Sequence, residues 1–141
     1  MDISRDIFTF LDDIEEGVVL TTVDESGKET TVFLNKALKK NVSWSNDNST
    51  VDRFVFLGYV HKNDQLKFKK LQENLFLKKN KQKIQFRFYS DKKSPPIWVE
   101  VQAYVKELSG QRLNYYTIRN IDIEVQSENL LRQSELKHRL L

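Results

Sequence analysis

The sequence predicts an α+β fold in which five antiparallel strands form one sheet and the helices lie over one face. Five segments carry the apolar pattern of β-strands, and short polar or glycine-containing turns join several of them. Segments with helical spacing lie before, between and after these strands, in the order helix, two strands, helices, three strands, helix. With 141 residues and 39% hydrophobic content, the chain is long enough for one domain with a proper core.

The N-terminal part predicts an amphipathic helix followed by a β-hairpin. Apolar residues at three- and four-residue spacing share one face of the helix, which ends before Gly17: Ile3, Ile7, Phe10, Leu11 and Ile14. Two runs of branched residues, near 18–23 and 29–34, flank the turn "ESGK", which is typical of a hairpin. The segment "NKALKK" then predicts a helical turn, and "NVSWSNDNSTVD" predicts a surface loop.

The second half predicts one long helix, three strands and a terminal helix. The long helix runs from about Asp64, a candidate cap, to Lys79. Alternate apolar residues share one face of the third strand (Ile84, Phe86, Phe88) and of the fourth (Ile97, Val99, Val101, Ala103, Val105). The fifth strand lies in "QRLNYYTIRNI", and a charged helix with scattered leucines follows it to the end of the chain.

The outer face of the sheet predicts an interface. Trp98 and Tyr104 alternate opposite the aliphatic face of the fourth strand, and Tyr116 and Ile118 are assigned to the same outer face. So aromatic a face is not expected to be bare, and the N-terminal helix of the same or a second copy is expected to cover it. The predicted interface therefore comprises Ile7, Leu11, Trp98, Tyr104, Tyr116 and Ile118. Scattered exposed aromatic residues, which are common, are the alternative.

Composition excludes several kinds of site. The chain has no cysteine, so disulfides, thiolate zinc sites and cysteine nucleophiles are excluded, and its two histidines, His61 and His138, are too far apart for a histidine-rich metal cluster. No nucleophile with its base and no glycine-rich phosphate loop is visible, so the chain itself is not predicted to be an enzyme. The N-terminus has the pattern of neither a signal peptide nor a membrane span, so we expect a cytoplasmic protein.

The lysine-rich segment "HKNDQLKFKKLQENLFLKKNKQK" raises the question of nucleic-acid binding. Its lysines alternate with Phe68, Leu71, Leu75 and Leu77 at helical spacing, which makes most of them the solvated side of an amphipathic helix. No strand motif of aromatic and basic residues accompanies them. The sequence therefore predicts no nucleic-acid partner, and a nucleic-acid binder remains only an alternative.

Several motifs, in the right order from about Ile7 to the end, resemble those of PAS sensory domains. The segment "DDIEEGVVLTTVDESGKETTVFLNKAL" resembles the opening helix, first hairpin and next helix start of that family. The segment "LGYVHKND" resembles the His-Pro-x-Asp element before the long helix, with Lys62 in place of the proline. The segment "FRFYSDKKSPPIWVEVQAYV" is similar to the arginine-bearing strand, the turn and the W-V-E-V strand.

The resemblance implies a sensory and dimerisation module at the front of a bacterial signalling protein. It divides the chain into an N-terminal cap helix at 1–16, a PAS-like core at 17–121 and a connector helix at 122–141. The segment "RNIDIE" resembles the ending at which such domains pass to an output helix, which makes Arg119, Asn120 and Asp122 the signalling junction. The implied partners are a second copy of the chain and a downstream histidine kinase or diguanylate cyclase domain.

The resemblance also implies a concave sheet face on which a small ligand could bind. Its candidate lining residues are Phe33, Phe56, Tyr59, Phe68, Phe86, Phe88, Ala103, Tyr115 and Thr117. These many aromatic residues can also fill the space over the concave face by themselves, and a ligand-free interaction domain therefore remains an alternative. A small α+β enzyme is a further alternative. No cofactor is expected. His61 precedes the helix near which haem-binding members supply their ligand, a flavin adduct needs a cysteine, and no motif for non-covalent flavin stands out.

Overall fold

The structure is a computed structural model that describes residues 5–41, 59–89 and 95–140, with side chains at 9–38, 59–89 and 95–139. Its helices are α1 (Arg5–Asp12), α2 (Lys36–Asn41), α3 (Gln65–Lys78) and α4 (Asp122–Leu140), and its strands are β1 (Gly17–Val23), β2 (Glu29–Leu34), β3 (Gln82–Phe88), β4 (Ile97–Leu108) and β5 (Gln111–Asn120). The predicted loop after α2, the candidate residue Phe56 and the side chain of Ile7 lie outside the described residues.

The five strands form a single sheet in the order β2-β1-β5-β4-β3, and every neighbouring pair is antiparallel. The predicted five-stranded antiparallel sheet is therefore confirmed. β5 lies at the centre and pairs with β4 along nearly its whole length, from Val99 opposite Asn120 to Leu108 opposite Gln111. The β4–β5 turn uses Ser109 and Gly110, whose φ angles of 52° and 78° explain the glycine there.

The main core lies between the inner face of the sheet and two helices, α2 and α3. It contains Val19, Leu38, Val60, Phe68, Leu71, Leu75, Phe86, Phe88, Val99, Val101, Ala103, Tyr116 and Ile118. Phe68, Leu71 and Leu75 of α3 thus meet the aliphatic face of β4 as their spacing predicts. Leu77, which was assigned to the same apolar stripe, is instead 66% exposed. A second, smaller cluster lies on the outer face, where Leu11 of α1 packs against Val18 and Leu20 of β1. The N-terminal helix of the same chain therefore covers part of the outer face.

The two faces of β5 are the reverse of the prediction. Tyr116 and Ile118, which the sequence assigned to the outer face, are buried in the main core. Tyr115, which was assigned to the inner face, packs on the outer cluster beside α1. Thr117 shares the outer face with Tyr115, because alternate residues of a strand lie on one side. A shift of one residue moves every side chain of a strand to the other face, so a single error in register accounts for all four assignments.

Phe33 also lies on the outer face, which corrects its assignment to the inner one. Its side chain packs on the outer cluster, whereas its neighbour Leu34 packs against the main core. The pairing of β1 with β2 shifts register between Leu20 and Thr21. Such an irregularity changes which residues of a strand face the core, and the hydrophobic pattern of a six-residue strand does not reveal it.

Asn35 connects α1, β1 and α2 at the base of the sheet. Its side-chain oxygen accepts hydrogen bonds from the backbone N–H groups of Val18 (2.9 Å) and Leu38 (3.1 Å). Its amide nitrogen donates to the carbonyl groups of Leu11 (3.0 Å) and Glu16 (2.8 Å). Asn35 is fully buried, so these bonds satisfy a polar group that would otherwise destabilise the core. The asparagine of the "NKA" segment thus fixes where α1 meets the sheet.

Asp64 precedes α3 but does not cap it, contrary to the prediction. No side-chain capping bond is formed there. The carboxylate instead accepts hydrogen bonds from the guanidinium of Arg87 at 3.0 and 3.1 Å and from the backbone N–H of Arg87 at 2.8 Å. The side-chain hydrogen bond from Arg87 lowers the pKa of Asp64 below its usual value, against the opposing effect of burial. The pair therefore attaches the start of α3 to β3.

We predict that Asp64→Asn destabilises the fold by about 2 kcal/mol near neutral pH, because charged hydrogen bonds to Arg87 are lost. The lowered pKa means that the Asp64 carboxylate stabilises the fold above the ordinary aspartate pKa, and that this contribution is lost as pH falls through the folded-state pKa. Urea unfolding at several pH values measures the effect. Glu73→Gln, a change of an exposed acid on the same helix, is the control. An equal destabilisation by both variants would contradict the prediction.

Candidate functional site

Four of the predicted ligand residues meet on the inner face of the sheet. Phe68, Phe86, Phe88 and Ala103 are all buried in the main core, and Tyr59 packs at its margin, 5.8 Å from Phe88 between ring centroids. The centroid of Phe68 lies 5.6 Å from that of Phe86 and 6.3 Å from that of Tyr116. These are direct aromatic contacts. Within the described residues, the aromatic rings of this inner face therefore pack against one another.

A buried carboxylate, which the sequence analysis missed, lies beside these rings. Glu29, at the start of β2, is 8% exposed. Its first oxygen accepts hydrogen bonds from Thr21 Oγ1 (2.8 Å), Asn114 Nδ2 (2.8 Å) and Tyr116 Oη. Its second oxygen accepts from Gln72 Nε2 of α3 at 2.7 Å. The Glu29 network, meaning these five residues, thus joins β1, β2, β5 and α3 in one polar cluster.

The donors around Glu29 suit a carboxylate, which only accepts hydrogen bonds when it is ionised. No ion pair to Glu29 is present among the described residues, so neutral donors alone stabilise it. Burial, followed by the nearby Glu29, raises the pKa of Tyr116 well above its usual value. The phenol of Tyr116 therefore keeps its proton near neutral pH and remains a hydrogen-bond donor.

Two polar atoms, one in the Glu29 network and one in a neighbouring residue of β5, lack a partner within the part of the chain that the structure describes. They are Asn114 Oδ1 and Arg112 Nε, both buried. The other guanidinium nitrogens of Arg112 donate to the carbonyl groups of Leu75 and Phe76, at the end of α3. A cation suits this position, because the carbonyl end of a helix carries partial negative charge. Arg112 therefore attaches the end of α3 to β5, as Asp64 attaches its start to β3.

The outer face has an apolar half and a polar half. Near β1 and β5, Tyr115 packs in the cluster that α1 covers, and its ring lies 5.9 Å from that of Tyr104. Trp98, closer to β3, lies under the guanidinium of Arg87, which is 5.6 Å from the ring. Two of the predicted interface residues, Trp98 and Tyr104, thus have partners within the chain, as does Leu11. Whether they also contact a second copy stays a prediction.

Glu100 occupies the middle of the polar half. It is 6% exposed and accepts hydrogen bonds from Gln85 (3.2 Å) and Gln102 (3.4 Å), and ion pairs link it to Lys83 and Arg119, each at 3.7 Å. Burial raises the pKa of Glu100, but the two amide donors and the two cations outweigh it and hold the pKa below its usual value. Glu100 therefore carries a negative charge at neutral pH. It lies beside Arg119, the first residue of the predicted junction.

The predicted junction residues lie together where β5 becomes α4. Arg119 donates to Glu124 in the first turn of α4 (3.1 Å) as well as pairing with Glu100. Asn120 Oδ1 accepts from the backbone N–H of Asp122 at 2.8 Å and so satisfies one of the free N–H groups at the start of α4. Asp122 in turn accepts from the backbone N–H of Trp98 in β4 at 3.3 Å. The start of α4 is thus bonded to β4 and to β5.

A single buried residue, Ile121, separates β5 from α4. Its side chain is 2% exposed, and its backbone N–H donates to the carbonyl of Trp98 at 2.9 Å. Beyond the first turn, by contrast, α4 has little to pack on. Its apolar residues Leu130, Leu131 and Leu136 are 57% to 66% exposed. Among the described contacts of α4, those at its start are therefore the ones that anchor it to the sheet.

His61 lies at the turn before α3 and acts as a cap there. Its Nδ1 accepts from the backbone N–H of Asn63 at 3.1 Å, and its ring stacks on Tyr89 with 5.7 Å between centroids. The backbone N–H of Asn63 thus occupies Nδ1 of His61 in this structure.

Among the described helices, none has the length and apolar character needed to cross a membrane.

We predict that Glu29→Ala destabilises the fold by about 3 kcal/mol, because it leaves several buried donors without an acceptor. Glu29→Gln should have a smaller effect, since its amide still offers one acceptor but turns a donor toward one of its neighbours. Denaturant unfolding measures both. The control is Glu25→Ala, which removes an exposed acid from the adjacent turn. Equal stabilities of the Glu29→Ala and Glu25→Ala proteins would show that the network does not support the core.

Comparison with known proteins gives a likeness in structure alone. No protein-family model matches the chain, and a search of the curated proteins finds no significant match. Solved structures match over most of the chain. One is described as an RNA-binding light-oxygen-voltage receptor, with a TM-score of 0.69 and 11% identity over 95% of this chain. This chain covers 38% of that receptor.

Two further matches are isolated PAS domains. The PAS domain from the fruit-fly ELK potassium channel has a TM-score of 0.65 and 15% identity, with 86% of this chain and 99% of that one covered. A PAS domain from a two-component sensor histidine kinase has a TM-score of 0.56 and 12% identity, with 82% and 94% covered. These sequence identities are low, so the likeness concerns the fold. The five-stranded antiparallel sheet, its helices and these neighbours together identify the chain as having the PAS fold.

Proposed function

We propose that the chain is a cytoplasmic, non-catalytic sensory and dimerisation module of a signal-transduction protein. In this proposal a ligand or partner changes the sheet, and α4 carries that change to a downstream domain. The observation that supports it most strongly is the anchoring of α4, whose start is bonded to β4 and β5 while the rest is exposed. A helix held only at one end moves with the strands that hold it.

The proposed mechanism needs two arrangements of the sheet and helix that differ in their affinity for the signal. A ligand shifts such an equilibrium only by its differential affinity for the two states. The ion pairs of Arg119 with Glu100 and with Glu124 suit this role, because they span the sheet and the first turn of α4. The pair with Glu124 is exposed on both sides, so its rearrangement requires little free energy. Glu100 is buried, but Lys83, Gln85 and Gln102 continue to stabilise its carboxylate when Arg119 moves.

The downstream domain is proposed by analogy. One similar structure is a PAS domain from a two-component sensor histidine kinase, and another is the N-terminal domain of a diguanylate cyclase with PAS/PAC sensor from Marinobacter aquaeolei. A histidine kinase or cyclase domain after α4 would place this chain in a two-component or cyclic-dinucleotide pathway. In either, the helix is the element that joins sensor and output.

A second candidate function is a ligand-free interaction domain. The direct contacts among Phe68, Phe86 and Tyr116 favour it, and so does the Glu29 network, whose carboxylate is satisfied by protein donors alone. Native mass spectrometry and an absorption spectrum of the purified protein separate the two candidates. A bound small molecule or chromophore would favour ligand sensing, and an unliganded mass would favour the interaction domain.

We predict that Asn120→Ala combined with Asp122→Ala changes the output of the full-length receptor without unfolding this domain. The two substitutions remove the cap of α4 and its bond to Trp98, while the core stays intact. Kinase or cyclase activity of the full-length protein and the Tm of the domain are measured together.

Glu128→Ala with Gln133→Ala is the control for the junction variant, because both residues are exposed on α4 beyond its first turn. We expect this pair to leave the output closer to wild type than the junction pair does. Unchanged output of the junction variant, at a normal Tm, would remove the junction from the mechanism.

Self-association is the remaining part of the proposal. Phe10 on α1 is 68% exposed beside the outer face, so we predict that Phe10→Glu lowers the dimer fraction in analytical ultracentrifugation. Leu66→Glu, which alters the 79%-exposed leucine of α3, should leave it unchanged. If Phe10→Glu has no effect, or if the two variants act alike, α1 is not the dimer interface.

A further inference from the structure

The positive charge of this chain is concentrated in one segment. Residues 62–87 contain nine lysines and arginines but two acids. The rest of the chain contains fourteen lysines and arginines and eighteen acids. Of the two acids, Asp64 is neutralised by Arg87. The sequence alone assigns these lysines to a solvated helix face, but the structure adds that α3 and the edge strand β3 lie side by side.

β3 is an edge strand, and the residues that the structure describes cover only part of its outer side. Near the end of β3, the carbonyl of Arg87 accepts a hydrogen bond from the N–H of His61 at 2.9 Å, and the N–H of Arg87 donates to the carboxylate of Asp64. The N–H of Tyr89 donates to the carbonyl of Tyr59 at 2.7 Å. The backbone groups of Arg87 and Tyr89 therefore point away from β4. Because this direction alternates along a strand, those of Gln85 and Lys83 point outward too.

Lysine side chains lie along the uncovered part of this edge. Lys67 Nζ donates to the carbonyl of Gln85 at 2.8 Å, so a side chain occupies a position that a neighbouring strand would fill. An open groove between α3 and β3 is lined by Lys67, Lys83, Ile84 and Gln85. Lys70 lies one turn after Lys67 on the same side of α3, whereas Gln72 turns toward β2, where it bonds Glu29.

We propose that the edge of β3 at residues 83–85 binds an extended acidic segment of a partner protein as an additional strand. The outward backbone groups of Lys83 and Gln85 pair with the segment, and its carboxylates contact Lys67 and Lys70, because the side chain of Lys83 is already paired with Glu100. In the free protein Lys67 covers the carbonyl of Gln85, and on binding it exchanges that carbonyl for a carboxylate. The proposal goes beyond the sensory function and does not depend on it.

The geometry favours an extended peptide over other anionic partners. A strand satisfies both the backbone donors and the acceptor at the edge, as in other complexes formed by strand addition. A nucleic acid would use the lysines but not the backbone pairing. The nearest rings on the described part of β3 and α3 face inward, where Phe68 and Phe86 are fully buried, so aromatic side chains on which bases stack are missing there.

The test uses a fluorescent peptide of about eight residues, the length of one strand, in which glutamate and threonine alternate. Fluorescence anisotropy gives its affinity for the purified protein, and amide hydrogen exchange by NMR locates the contact. We expect binding that weakens with salt and slower exchange at the amides of Lys83 and Gln85. A peptide with prolines in place of its central threonines should bind more weakly, because proline cannot donate to a ladder.

Charge reversals with a matched control test the lysines. Lys67→Glu with Lys70→Glu should weaken binding about tenfold, since two exposed charges change sign. Lys69→Glu with Lys106→Glu produces the same net charge away from the groove and should change affinity by about twofold or less. The proposal would be overturned if the glutamate–threonine peptide did not bind, or if both pairs of charge reversals lowered its affinity equally. It would also be overturned if the proline peptide bound as tightly, or if a single-stranded RNA bound more tightly through the same lysines.

Discussion

The pairing of β5 with β1 on one side and β4 on the other is the constraint on which the rest of the structure depends. On its inner face, β5 carries Asn114, Tyr116 and Ile118, which reach the Glu29 network and the aromatic core. Its last residue leads through buried Ile121 into α4. Because β5 continues from the interior of the sheet into α4, a structural change at the centre of the sheet reaches the start of α4 through a short stretch of backbone.

The sheet holds one buried carboxylate on each face, and the two are stabilised differently. Glu29 on the inner face is bound by neutral donors, whose contribution depends little on salt. Glu100 on the outer face is paired with Lys83 and Arg119, which are about half exposed, so added salt screens them. The inner acid therefore suits a structural role, and the outer acid suits a role in which contacts rearrange.

The sequence predicts the elements of the fold well and the polar contacts poorly. Strands and helices follow from local periodicity, which β4 shows clearly. In β5, Tyr115 and Tyr116 are adjacent and both aromatic, so the pattern did not indicate which one faces inward, and the choice was wrong. The partners of Glu29 lie up to 87 residues away, and Arg87 lies 23 residues from Asp64, distances that no local rule covers. The only signal for the Glu29 network in the sequence was an inward-facing acid next to a threonine-rich strand.

The central claim, that the interior of the sheet is coupled to the start of α4, is tested most directly by amide hydrogen exchange in Tyr116→Phe. This substitution removes one donor to Glu29 and keeps the ring. This coupling predicts faster exchange at the amides of Ile121, Asp122 and Val125, which are bonded to Trp98, Asn120 and Ile121 respectively. Faster exchange around Glu29 with unchanged exchange at these three amides would contradict it.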